Sequence, residues 1–109
     1  MKPTKEQIQW LWEQCGLRMI DPSTKFPIWV DGQDIVVGTM GKEPPNIDLN
    51  NLFKYGFPLL WQREVVEISF GKDFCYLDYG YGKPDILVVG DNLEDNLFNA
   101  IYKALGGKE

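Results

Sequence analysis

The chain has 109 residues, 44% of them hydrophobic and 25% charged, with a formal net charge of −5 from 16 acidic and 11 basic side chains. This is the length of a single domain, residues 1–109, and the composition of an ordinary globular protein. The acidic balance argues against a nucleic-acid partner, no apolar run approaches the ~20 residues that span a bilayer, and the absence of histidine excludes Ser-His-Asp and Cys-His nucleophile systems.

Thr4-Lys5-Glu6-Gln7 has the pattern of a capping box, and Ile8, Leu11, Trp12 and Cys15 follow at helical spacing up to Gly16. Trp10 lies roughly 200° from Ile8 at ~100° per residue, so it faces outward or a neighbouring element and is a candidate contact residue. The period then becomes strand-like. Leu17 to Ile20 reads as a short strand before the Asp21-Pro22-Ser23-Thr24 turn, and Phe26 to Val30 as another, with Pro27 pushing it towards an edge. Asp31-Gly32 is a tight-turn signal into Ile35-Val36-Val37, and Gly38 to Glu43 reads as a loop.

Beyond Pro44-Pro45, Asp48 is placed to cap a central helix carrying Leu49, Leu52, Phe53 and Phe57 on one face, with a kink expected at Pro58. Val66, Ile68 and Phe70 then alternate on one face of a strand. Gly71-Lys72-Asp73 turns the chain into a second strand, where Phe74, Tyr76 and Asp78 oppose Cys75, Leu77 and Tyr79. After the Gly80 to Asp85 turn, the unbroken apolar run Ile86 to Val89 suits a strand covered on both faces. Asp91 and Glu94 repeat the capping spacing before a last amphipathic helix that ends at Gly106-Gly107. The expected fold is α+β, with three helices packed as a layer on an antiparallel sheet of about five strands.

Three features of this stretch are similar to small uncharacterised phage and prophage proteins of the phage ABA sandwich type. They are Pro45 with Asp48 to Tyr55 and Pro58, the hairpin strands, and the Leu97 to Leu105 helix; the Trp-rich helix ending at Cys15-Gly16 also fits. The resemblance implies a layered fold and a phage or bacterial setting, and it carries over no catalytic residue. Gly56, inside the central helix, departs from the pattern.

No cofactor is expected. Gly80-Tyr81-Gly82-Lys83-Pro84 leads towards a strand, which spoils a phosphate-loop reading, and two Cys without His are too few for structural zinc. Cys15 and Cys75 read as buried free thiols of a cytoplasmic, bacterial-host protein, in keeping with an N-terminus that lacks a signal-peptide pattern. Asp73, Asp78 and Asp85 are the carboxylates with a chance of crowding together, the one route to metal-dependent chemistry. Trp61, Tyr76, Tyr79 and Tyr81 form the densest aromatic set and, with Trp10 and Lys83, are the candidate binding residues, since Tyr and Trp supply rigid interfacial area with a polar tip. The leading expectation is a non-enzymatic protein-interaction module, in a sharper form an inhibitor of a bacterial defence protein. The alternative is a small-ligand or nucleotide-binding domain with its pocket between the 38–43 loop and the 80–85 turn.

Overall fold

A computed structural model describes residues 2–20, 28–31, 33, 36–37, 45–80 and 83–107. Among the described residues, six strands form two three-stranded antiparallel sheets, and three helical regions complete an α+β domain. The expected single sheet of about five strands is thus divided in two, with the strands of the first sheet before the central helix in the chain and those of the second after it.

Helix α1 (Lys5–Gln14) begins with the expected box. The Thr4 Oγ1 accepts the Gln7 amide at 3.2 Å, and the Gln7 Oε1 accepts the Thr4 amide at 3.0 Å. Leu11 and Trp12 are fully buried. The Trp12 indole donates to the carbonyl of Pro45 at 2.7 Å, closing a span of 33 residues with a buried bond.

The first sheet has the order β1 (Arg18–Ile20), β2 (Ile28–Val30), β3 (Val36–Val37). β2 is therefore central, not the edge strand that Pro27 suggested, and it begins at the residue after that proline. Trp29 and Val30 are both buried, so both faces of β2 are covered there. The last pair among the described residues is Val30 with Val36, and Asp31 Oδ1 accepts the Gln33 amide at 2.8 Å; Gly32 and Ile35 of the expected tight turn lie outside the described residues. The 21–24 turn and the 38–43 loop lie outside the described residues.

The central helical segment runs without a break through α2 (Leu49–Asn51), a π-helical turn (Leu52–Gly56) and α3 (Phe57–Gln62), with Asp48 Oδ1 accepting the Asn51 amide at 2.8 Å as the cap. In place of a simple kink at Pro58, the turn before it widens. The proline ring conflicts with the carbonyl four residues back, and a wider turn moves that carbonyl aside. Leu52, Gly56 and Leu60 form the buried stripe, whereas Phe53 and Phe57 sit beside it, Phe53 exposed. A Cβ on Gly56 would stand 3.0 Å from Ile101 Cδ1, so this helix lies close against the last one there, and an added methyl would make the end of the isoleucine side chain give way slightly.

The second sheet has the order β4 (Glu67–Gly71), β5 (Phe74–Asp78), β6 (Ile86–Val89), and α4 (Leu93–Ala104) packs on it. Gly71 pairs with Phe74 across the two-residue turn Lys72-Asp73. Cys75, Leu77 and Val88 point into the core with Leu97, Phe98 and Ile101. α4 is capped by Asn92, whose Oδ1 accepts the Asp95 amide at 2.9 Å, one residue later than the Asp91 spacing suggested; both types can cap, and Asn92 has the extended backbone.

All three long helical segments close in the same way. The amides of Leu17, Val65 and Gly107 reach back to the carbonyls of Trp12, Leu60 and Tyr102, and the residue before each has a positive φ. Two of those residues are Gly16 and Gly106; the third is Glu64, at φ 71°.

Candidate functional site

The outer face of the second sheet, away from α4, is set by register. Ser69, Tyr76 and Leu87 form one cross-strand row and Gly71, Phe74 and Val89 the next, while Glu67 and Asp78 face each other at the end. Phe74 and Tyr76 are half-buried, but Leu87 is 57% exposed and Val89 69%. Burial of the part of either side chain that is still exposed is worth about 1–2 kcal/mol. The sequence reading of Ile86 to Val89 as covered on both faces is therefore corrected: its outer face is apolar and exposed, and among the described strands β6 stands at the edge of its sheet. A continuous apolar run has the same pattern in both situations, and only the missing neighbour distinguishes them.

Alongside β6 runs a groove of about 210 Å³, lined by Leu87, Val88 and Val89 on one side, Asn99, Tyr102 and Lys103 of α4, and Gln7 of α1. It is smaller than the roughly 300–1,000 Å³ of typical small-molecule sites. Trp10 meets the ring of Tyr102 edge-on, with centroids 5.1 Å apart. Of the two orientations expected for Trp10, outward or towards a neighbouring element, the second holds: it packs on a groove-lining residue of α4.

At the start of β6, Asp85 ties two tyrosines together. Its Oδ2 accepts the Tyr76 hydroxyl, and its Oδ1 accepts the Tyr79 amide at 3.1 Å. The bond to Asp85 pushes the Tyr76 phenol up to about 12, with desolvation and the charges of Asp85, Asp78 and Glu67 acting in the same direction. In return the Tyr76 hydroxyl and then the Tyr79 amide hold Asp85 below the usual carboxylate range. Burial pushes the thiols of Cys15 and Cys75 to about 12 and about 11, and both are free.

The expected aromatic set is dispersed. Tyr79 is buried at 7% exposure and faces inward, whereas Tyr76 lies on the outer face, as alternation along the strand requires. Trp61 is 53% exposed on α3, and among the described residues no ring contact joins it to either tyrosine. Lys83 holds its ammonium 3.9 Å from Glu64 and 5.5 Å above the Tyr79 ring. Tyr81, like the 38–43 side of the expected pocket, lies outside the described residues. Asp78 and Asp85 do meet near Tyr76, but Asp73 sits in the turn at the far end of β5. No group of three possible metal ligands occurs among the described residues.

Leu87 and Val89 were missed as site residues. No local signal marked them: Lys83-Pro84 precedes β6, but Pro27 also precedes β2, which is central.

No protein-family model, curated protein or solved structure matches the chain. No helix among the described residues is long and apolar enough to cross a membrane.

Proposed function

We propose that this chain is a non-enzymatic protein-interaction module that engages a protein partner along β6. The observation that carries the reading is the exposure of Leu87 and Val89 side by side on a strand edge, next to the Tyr76 and Phe74 rows. Contiguous apolar surface of this kind marks interaction sites in folded proteins. Tyr76 belongs to the contact surface, while Trp10 and Tyr79 act from beneath it. The phage or prophage setting, and with it a bacterial cytoplasm and the inhibition of a defence protein, rests on the resemblance of the first, central and C-terminal helices and the hairpin strands alone. The net charge of −5 favours a protein partner over nucleic acid.

The test is affinity capture from bacterial lysate at low and high salt, with the wild-type chain and a Leu87→Lys/Val89→Lys double variant as baits. Both baits are first matched in circular dichroism and melting temperature. A dominant partner held by the wild type and lost from the variant is the expected result. The same partner on both baits, or none on either, overturns the proposal.

A further inference from the structure

We infer that β6 takes up an extended segment of another protein as a fourth strand, and that this segment is apolar at its centre and basic at both ends. The inference deepens the interaction reading above and rests on it.

The backbone geometry comes first. In an antiparallel pair, residues alternate between those that bond across to the neighbour and those that point away from it. The Gly90 amide donates to the Asp73 carbonyl at 3.0 Å, which fixes Gly90 as pointing towards β5. Counting back by twos, Val88 and Ile86 do the same. The two-residue turn closing at Gly71 and Phe74 gives the same phase from the other side, because Phe74 then faces β4 and Cys75, paired with Val88, faces β6. The amides and carbonyls of Leu87 and Val89 therefore point off the edge, and no other described strand pairs there. These are the two residues whose side chains are exposed. Strand addition uses this combination, with main-chain bonds giving affinity and alternate side chains giving selectivity.

Charge then selects the occupant. Ile86 to Gly90 carries no ionisable side chain, and Asp85 and Asp91 bracket it, both exposed. A strand laid along β6 with apolar residues opposite Leu87 and Val89 places its residues opposite Asp85 and Asp91 on the same outer face, six positions apart. Lysine or arginine there is complementary; opposite charges across a strand pair are favourable and like charges are not. The same bracket disfavours a second copy of this chain. In the self-pairing whose hydrogen-bonded residues all lie within β6, Leu87 meets Val89 in both directions, and Asp85 of each copy is set against Asp91 of the other. The intervening residues of the incoming strand point down to Asn99, Tyr102 and Lys103, where the small groove admits short polar side chains.

The probe is the peptide Lys-Thr-Val-Thr-Val-Thr-Lys, blocked at both ends and symmetric in pattern, so that either strand direction is served. It is titrated into isotopically labelled full-length protein while amide chemical shifts are followed. Expected are saturable shifts centred on Leu87, Val89, Asp85 and Asp91. Affinity should fall by about ten-fold or more, the equivalent of ~1.4 kcal/mol, when both valines are N-methylated or both lysines become glutamate. On the protein side, Val89→Pro removes an outward donor without touching a bond to β5, and Val89→Lys alters only the side chain; each should weaken the peptide while Asp91→Lys removes the preference for basic ends. Equal binding of the N-methylated peptide overturns strand pairing, and equal binding of the glutamate peptide overturns the charge assignment. Self-association in sedimentation that Val89→Pro abolishes would give the edge to a second copy and overturn the proposal. Absence of shifts at millimolar peptide overturns it too, and a successful Leu87/Val89-dependent capture in that case leaves the broader interaction reading standing.

Discussion

The side-chain amide of Asn96, buried on α4, donates to the carbonyl of Gly90 at 3.0 Å and so fixes the point where β6 hands over to the last helix. The fit is close on both sides: a Cβ on Gly90 would lie 2.6 Å from Asn96 Oδ1. Asn96→Leu should lower stability by about 1–3 kcal/mol, since it strands a carbonyl that the amide satisfies. Gly90→Ala should also destabilise, and in a cycle with Asn96→Ala, which removes the colliding atoms that a leucine of the same shape would replace, the two changes combined should cost less than their sum. Urea denaturation of the four proteins of the cycle provides the check.

Glu64 occupies the left-handed position that Gly16 and Gly106 fill at the other two helix ends. Glu64→Gly should raise stability by about 0.5–1 kcal/mol, the backbone relief exceeding both the entropy of the freer unfolded chain and a surface pair with Lys83. Gly16→Ala and Gly106→Ala should each lower it by about 1 kcal/mol, an effect of backbone alone, since a Cβ at either position meets nothing within 4 Å. Shifts in the denaturation midpoint at constant m-value measure all three.

The indole of Trp12 is a donor as well as a core filler. Trp12→Phe keeps an aromatic ring but leaves the Pro45 carbonyl without its buried partner, and should cost about 1–3 kcal/mol. Hydrogen exchange should show the loss as faster opening at the start of the central helical segment, around Leu52, before global unfolding.

Tyr76 and Asp85 make stability depend on pH at two ends of the scale. The phenol is raised in the folded state, so its contribution is complete below pH 10 and is lost as pH rises through about 12. Asp85 is lowered, so its contribution is present above the ordinary carboxylate range and is lost as pH falls through the depressed folded value. Tyr76→Phe should remove this part of the alkaline loss and weaken the acid one. Burial raises the Tyr79 phenol as well, so ultraviolet titration should show one fewer late-ionising tyrosine in the variant than in the wild type.

What the sequence revealed was local. The Thr4–Gln7 box, the Asp48 cap and the alternation of β5 each depend on residues within a few positions, and the structure has them where the spacing puts them. Pro58 announced a disturbance, but neither the π-helical form it takes nor the close approach of Gly56 to Ile101, 45 residues away in sequence, is written in the residues around it. The site failed for the same reason. Alternation already separated Tyr76 from Tyr79, yet Asp85 joins them through a hydroxyl on one side and a backbone amide on the other. Whether Ile86 to Val89 lies inside a sheet or at its border depends on how many strands follow it into the same sheet, which no window of residues contains.

The strands of the second sheet and the helix that covers it follow one another without interruption from Glu67 to Ala104, each packed on its predecessor in the chain. The first sheet interposes no residue in that stretch. Contacts so close in sequence form quickly, because little loop entropy is lost in closing them. The hairpin at Lys72-Asp73 is thus the natural starting point for folding, and α4 the step that locks it. Mutations within this stretch should slow refolding, whereas loosening the Trp12 clasp should chiefly hasten unfolding.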